Sequence, residues 1–182
     1  MAIQTRVAFL LFGSGFCALI YQTTWLREFP LIFGISTAAS AVMLAVFMAG
    51  IGVGGIILGR RSETIDRPLA FYAKLELLIA ATAALSPLVI WMVRYLYIAL
   101  GGAEAMGTVL STIVRLILST VIIGIPTFLM GGTLPAAAKS VVENNDISRG
   151  TVGILYGTNS LGAVVGALAG TFFKVDKPSI LE

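Results

Sequence analysis

From Ser36 to Gly59 the chain runs for 24 residues without a charge, STAASAVMLAVFMAGIGVGGIILG, and then stops on Arg60 and Arg61. A bilayer core about 30 Å thick takes roughly 20 apolar residues in a helix rising about 1.5 Å per residue. The stretch meets that length and is too long for an ordinary buried helix. Gly50 and Gly54 stand four apart, as do Gly55 and Gly59. In water each glycine weakens a helix by roughly 1 kcal/mol. In lipid, small residues at that spacing let a second helix backbone approach closely. The stretch therefore predicts a membrane helix packed tightly on a neighbour through Gly50, Gly54, Gly55 and Gly59.

The rest of the chain needs the same solvent. Charged residues make up 12% of its 182 residues and hydrophobic residues 58%, with a mean hydropathy of +0.98. Ordinary soluble domains carry about 25% charged residues. Half that level cannot cover a water-facing surface, so the chain reads as one membrane domain, residues 1–182. A net charge of +3 without a basic, aromatic-interleaved cluster points to loops on anionic lipid and excludes nucleic acid as a partner class. With no histidine and only Cys17, the chain offers no metal-ligand set, no catalytic constellation and no cofactor site. The N-terminal apolar run has no small-residue cleavage site, because Phe16 before Cys17 is bulky, so it is expected to be a retained helix.

Hydropathy and breakers predict an all-α integral membrane protein with about five transmembrane helices, over residues 7–26, 36–59, 69–97, 104–130 with a continuation 134–142, and 151–173. Pro30 is expected to end the first helix. Pro126, Gly131, Gly132 and Pro135 are expected to break the fourth. Gly162, Gly166 and Gly170 give the fifth helix a small-residue stripe like that of the second, and AGIGVGGIILG set against NSLGAVVGALAG suggests an internal repeat of the kind transporter folds carry. Arg6, Arg60, Arg61, Arg67, Lys139 and Arg149 on one side outweigh Arg27, Arg94, Lys174 and Lys177 on the other. That bias predicts a bacterial inner membrane protein with its N-terminus in the cytoplasm and its C-terminus outside.

The polar residues inside the apolar runs are the candidate functional residues. Arg115 lies about ten residues into helix 4, roughly 15 Å deep, where an unpaired arginine costs about 3 kcal/mol or more. Glu76, on the adjoining antiparallel helix 3, is its expected partner. Lys74, two residues away, faces elsewhere and is expected to snorkel. Asn159 is expected to hydrogen-bond between helices. Tyr21, Gln22, Trp25, Arg27 and Glu28 read as an interfacial cluster.

The ordered series SGFCALIYQTTWLREFPLIFG, AVFMAGIGVGGIILGRR, PLAFYAKLELLIA, PTFLMGGTLPAAAK and GILYGTNSLGAVVGALAG resembles the membrane portion of bacterial proteins in which a multi-helix region is fused to a spermidine synthase-like domain. The likeness runs from Gly13 to Gly170 and is most specific at Tyr21–Arg27, Met130–Pro135 and Leu155–Gly162. The run from Gly59 through Arg60 and Arg61 to Arg67-Pro68 is loosely similar to the loop between helices 2 and 3 of the major facilitator superfamily. Members of the fused family continue into a further helix and a cytoplasmic Rossmann-like aminopropyltransferase domain. The present chain has no strand, glycine-rich loop and acidic residue in that order, so no catalytic residue carries over. The resemblance implies a non-enzymatic membrane module acting as an accessory or scaffold subunit, with the lipid bilayer and other membrane subunits or a homo-oligomer as partners. The alternatives are a transporter-like module for a small, cationic solute such as a polyamine, and the membrane fragment of an aminopropyltransferase.

Overall fold

A computed structural model describes residues 3–33, 37–99, 101–141 and 149–172, with the side chains of 29–33, 37–39, 97, 102–106, 108, 111–112, 115–116, 119 and 149 outside that description. Five helices follow one another: α1 (Ile3–Phe33), α2 (Thr37–Glu63), α3 (Pro68–Ala99), α4 (Gly102–Val141) and α5 (Arg149–Phe172). They contain apolar spans of 26, 24, 29, 22 and 23 residues, each long enough to cross a bilayer. The protein is an all-helical membrane protein, and among the described residues there is no strand.

Helix ends follow local chemistry. Where α2 stops, the Ser62 hydroxyl donates to the Gly59 carbonyl at 2.6 Å and the Thr64 hydroxyl to that of Arg61 at 3.0 Å, so the last carbonyls are not left bare. Pro68 opens α3, a position where its missing N–H costs nothing. Between α3 and α4 the chain turns on Gly101, whose φ of 85° is open to glycine, and its N–H caps the Ile98 carbonyl at 3.0 Å.

Two expected breaks are corrected. Pro30 does not end α1, which continues to Phe33. Four residues from a helix end, proline removes a single bond, the one to the Leu26 carbonyl. Pro126, Gly131, Gly132 and Pro135 lie within continuous helix, and the non-helical residue in α4 is Gly107, with φ 71° and ψ 171°. The helix runs through its prolines where α4 is packed closely on α2. In α3, Pro87 deprives the Ala83 carbonyl of its donor, and the Ser86 hydroxyl donates there at 2.7 Å.

The helices pair through glycine. α2 lies along α4, and α5 lies along α1, both pairs parallel; α3 lies antiparallel along α4. A methyl group at Gly54 would overlap the backbone of Phe128, and one at Gly162 would overlap the backbone of Phe12. These are backbone-on-backbone contacts that any side chain would push apart. Gly59 meets Pro135 at ordinary contact, and Gly170 faces Thr23. The α1/α5 pair meets the α2/α4 pair much more thinly than each pair meets internally.

The two pairs repeat one another, inverted. The numbers of Gly54 and Gly162 differ by 108, and those of Phe128 and Phe12 by 116. The same offsets carry the contact of Gly131 with Ile51 and Gly55 onto the contact of Gly15 with Asn159 and Ala163. They also carry one core cluster into the other. Trp25, Tyr21, Ile123 and Phe47 pack together in the first, and Val141, Ala137, Val7 and Leu155, their counterparts, pack together in the second. α1 runs against α4 and α2 against α5, so the operation is a pseudo-two-fold whose axis lies across the bundle. In this packing the glycine runs of α2 and α5 correspond, with Gly162 matching Gly54.

Candidate functional site

A cleft of about 690 Å³ separates α1 from α3. Its polar wall is a stripe on each helix: Ser14, Cys17 and Tyr21 at helical spacing on α1, and Tyr72 and Glu76, one turn apart, on α3. Phe9, Leu10, Leu77 and Ala80 make the remainder apolar. Glu76 lies eight residues past Pro68, about 12 Å along the helix. The hydroxyls of Ser14 and Tyr72 reach its carboxyl group. Its Oε1 is nonetheless buried and has no hydrogen-bond partner. An unsatisfied buried carboxyl oxygen is costly, and within a membrane span it is a functional-site signal.

The Arg115 backbone lies at a different height from Glu76. Leu75 packs beside Gly132, and Met130 lines the same cleft as Glu76. Fifteen residues of continuous helix separate Met130 from Arg115, about 22 Å. Ile90 and Val93 pack with Ile122 and Ile123, so two turns further along α4 the Arg115 backbone is level with the C-terminal end of α3. That exceeds what one arginine side chain spans, and the side chain itself is outside the described residues. The backbone heights therefore do not favour the expected Glu76–Arg115 pair, since antiparallel neighbours meet only where their heights match. Lys74 is exposed on a different face of α3 from the cleft, as its two-residue spacing from Glu76 requires.

The interfacial cluster divides. Trp25 is 2% exposed, and its Nε1 donates to the Ser86 hydroxyl at 3.1 Å. It is a core residue locking α1 to α3, with the Tyr21 ring stacked beside it at 6.1 Å. Gln22 is also buried, at 8%. Arg27 alone of the five is exposed, and its Nη2 donates to the Thr171 carbonyl at 3.1 Å, tying the ends of α1 and α5 together. Glu28 is partly exposed at the same end. An aromatic pair with the expected interfacial character sits instead on α3, where exposed Trp91 and Tyr95 stack at 6.3 Å.

Asn159 and Gln22, on α5 and α1, line a second cavity where α1, α2, α4 and α5 meet. Ser14, Ser86 and Tyr72 were not singled out by sequence reasoning. The available signals were the Ser14–Cys17–Tyr21 stripe, the Tyr72–Glu76 spacing, and a serine immediately before a mid-helix proline. No family model, curated protein or solved structure matches the chain.

Proposed function

We propose that this chain is a transporter-type membrane module that binds a small organic cation at Glu76. The observation that carries the reading is the unpartnered Glu76 Oε1, buried within a membrane span on the wall of a 690 Å³ cleft. A lone carboxylate at such depth is expensive, and an ammonium group that fills the vacant acceptor offsets that cost. The apolar walls suit the methylene stem of an alkylamine, and the Tyr21 and Tyr72 rings add faces attractive to a cation. The resemblance to spermidine synthase-like membrane regions adds the polyamine class. The thin contact between the α1/α5 pair and the α2/α4 pair supports relative movement of the two. The glycine faces that carry Gly50 and Gly54 on α2, and Gly162, Gly166 and Gly170 on α5, are filled within the chain.

Uptake of radiolabelled putrescine into proteoliposomes tests the reading. Wild-type protein is expected to exceed empty liposomes, and Glu76→Gln, with its helical content intact, to fall to their level. Wild-type uptake no greater than that of empty liposomes, or undiminished uptake by Glu76→Gln, overturns it.

A further inference from the structure

The cleft at Glu76 is off the pseudo-two-fold axis. The second cavity, about 560 Å³, is on it. Its walls exchange with one another under the two offsets: Gly15 with Gly131, Ala18 with Leu134, Ser14 with Met130, Met48 with Tyr156, and Ile51 with Asn159. A cavity that maps onto itself lies between the repeats, where the thinly packed pairs meet.

Its shape is symmetric and its chemistry is not. In the last three exchanges the polar residue always falls on the α1/α5 side: Ser14, Tyr156 and Asn159 replace Met130, Met48 and Ile51. Gln22 adds an amide to the same side; it is more than nine-tenths buried, and neither its side chain nor that of Asn159 makes a hydrogen bond among the described residues. The opposite wall, from α2 and α4, is mostly apolar. On that wall Pro135 leaves the Gly131 carbonyl without its helical donor, four residues back, and both residues line the cavity. No Asp, Glu, Lys or Arg among the described residues lines it. Gln22 is buried and Asn159 half-buried, and amides on a cavity wall with no protein partner hold donors and acceptors ready for a solute.

We propose that this axial cavity is a binding site for a small uncharged solute that carries a primary amide against an apolar face. The amide engages Gln22 and Asn159, and the apolar face packs on Met48, Ile51 and Met130. The two cavities share only Ser14, Ala18 and Met130 on their walls, and the inference stands or falls separately from cation binding at Glu76.

Benzamide is the probe, with benzylammonium and toluene as matched competitors that change its charge or remove its hydrogen bonds. Equilibrium binding of radiolabelled benzamide to the full chain in phospholipid nanodiscs, with empty nanodiscs subtracted, is expected to saturate at one per chain. Unlabelled benzamide is expected to displace it, and the two competitors to need at least about tenfold higher concentration, as loss of an amide's paired bonds implies. Asn159→Ile, which installs the residue of the opposite wall, is expected to weaken binding about tenfold, while Leu161→Ala on the lipid-facing side of α5 leaves it unchanged. Absence of saturable binding to the wild-type chain, or displacement by toluene or benzylammonium as readily as by benzamide, overturns the proposal. These competition results decide the matter even where Asn159→Ile fails to fold. Saturable benzamide binding in a chain that does not take up putrescine upholds this site and rejects the Glu76 reading.

Discussion

Alanine at Gly54 and at Gly162 tests the two seams by the same physics. A Cβ built at Gly54 stands 2.7 Å from the carbonyl carbon of Phe128 and 2.9 Å from its Cα; at Gly162 the matching distances to Phe12 are 2.8 and 3.0 Å. Real Cβ atoms rarely come closer than 3.4 Å, so each helix pair must open by several tenths of an ångström along its whole contact. The obstacle is backbone, which cannot rotate away as a side chain can. Overpacking of that kind costs about 1–3 kcal/mol, against a helix-propensity gain of roughly 1 kcal/mol for alanine over glycine. Gly52 and Gly157 are the internal controls, with nothing within 4 Å of a Cβ at either. Alanine there is expected to be neutral or to stabilise by up to about 1 kcal/mol. Reversible unfolding in mixed micelles reads all four variants. Gly54→Ala and Gly162→Ala are expected to lose similar stability and, being in separate seams, to add within about 0.5 kcal/mol. Equal behaviour of Gly52→Ala and Gly54→Ala would refute the seam, and a loss confined to one of Gly54 and Gly162 would refute the repeat.

Further outcomes follow from the same structure. Trp25→Phe and Ser86→Ala each remove the bond between α1 and α3; a double-mutant cycle is expected to return a coupling of about 0.6 kcal/mol and no more than about 1.7, and zero coupling would contradict the contact. Arg27→Ala is expected to cost under about 1 kcal/mol, since its bond to the Thr171 carbonyl is exposed, yet to raise amide exchange in the last turn of α5 selectively. Cysteines placed at Thr64 and at Gly101, with Cys17 removed, are expected to react with impermeant reagent from opposite faces of the membrane, because α3 separates the two turns; labelling of both from one face would contradict five crossings.

Much of the architecture was legible because lipid imposes it. Length without charge located five spans, and glycine spacing located the faces that pack. The sequence did not disclose which helix fills which face. α2 and α5 both carry glycine, and only their partners, α4 and α1, separate a repeat with true register from two stripes that look alike. Trp25 reads as an interfacial anchor because aromatics near helix ends usually are; Ser86, sixty-one residues on, gives its N–H a buried acceptor. Adjacency of helices 3 and 4 suggests a Glu76–Arg115 pair, but it fixes neighbours and not heights. The sequence marks Arg115 as the costly residue and Glu76 as its partner, while Ser14 and Tyr72 give no signal of their own because a serine and a tyrosine in apolar helices are ordinary singly. The prolines of α4 read as breakers in sequence; packed against α2, the same residues remain helical.

The central claim is that two glycine-seamed pairs, α1 with α5 and α2 with α4, form the bundle. Disulfide formation tests it directly. With Cys17→Ala as background, a Cβ at position 170 lies 3.4 Å from that of Thr23, and one at Gly59 lies 3.6 Å from that of Pro135, close to the roughly 3.5–4.5 Å that a disulfide spans. Oxidation in native membranes is expected to close Thr23→Cys with Gly170→Cys, and Gly59→Cys with Pro135→Cys, within single chains. Failure of both pairs to close, or closure only between chains, would contradict the account.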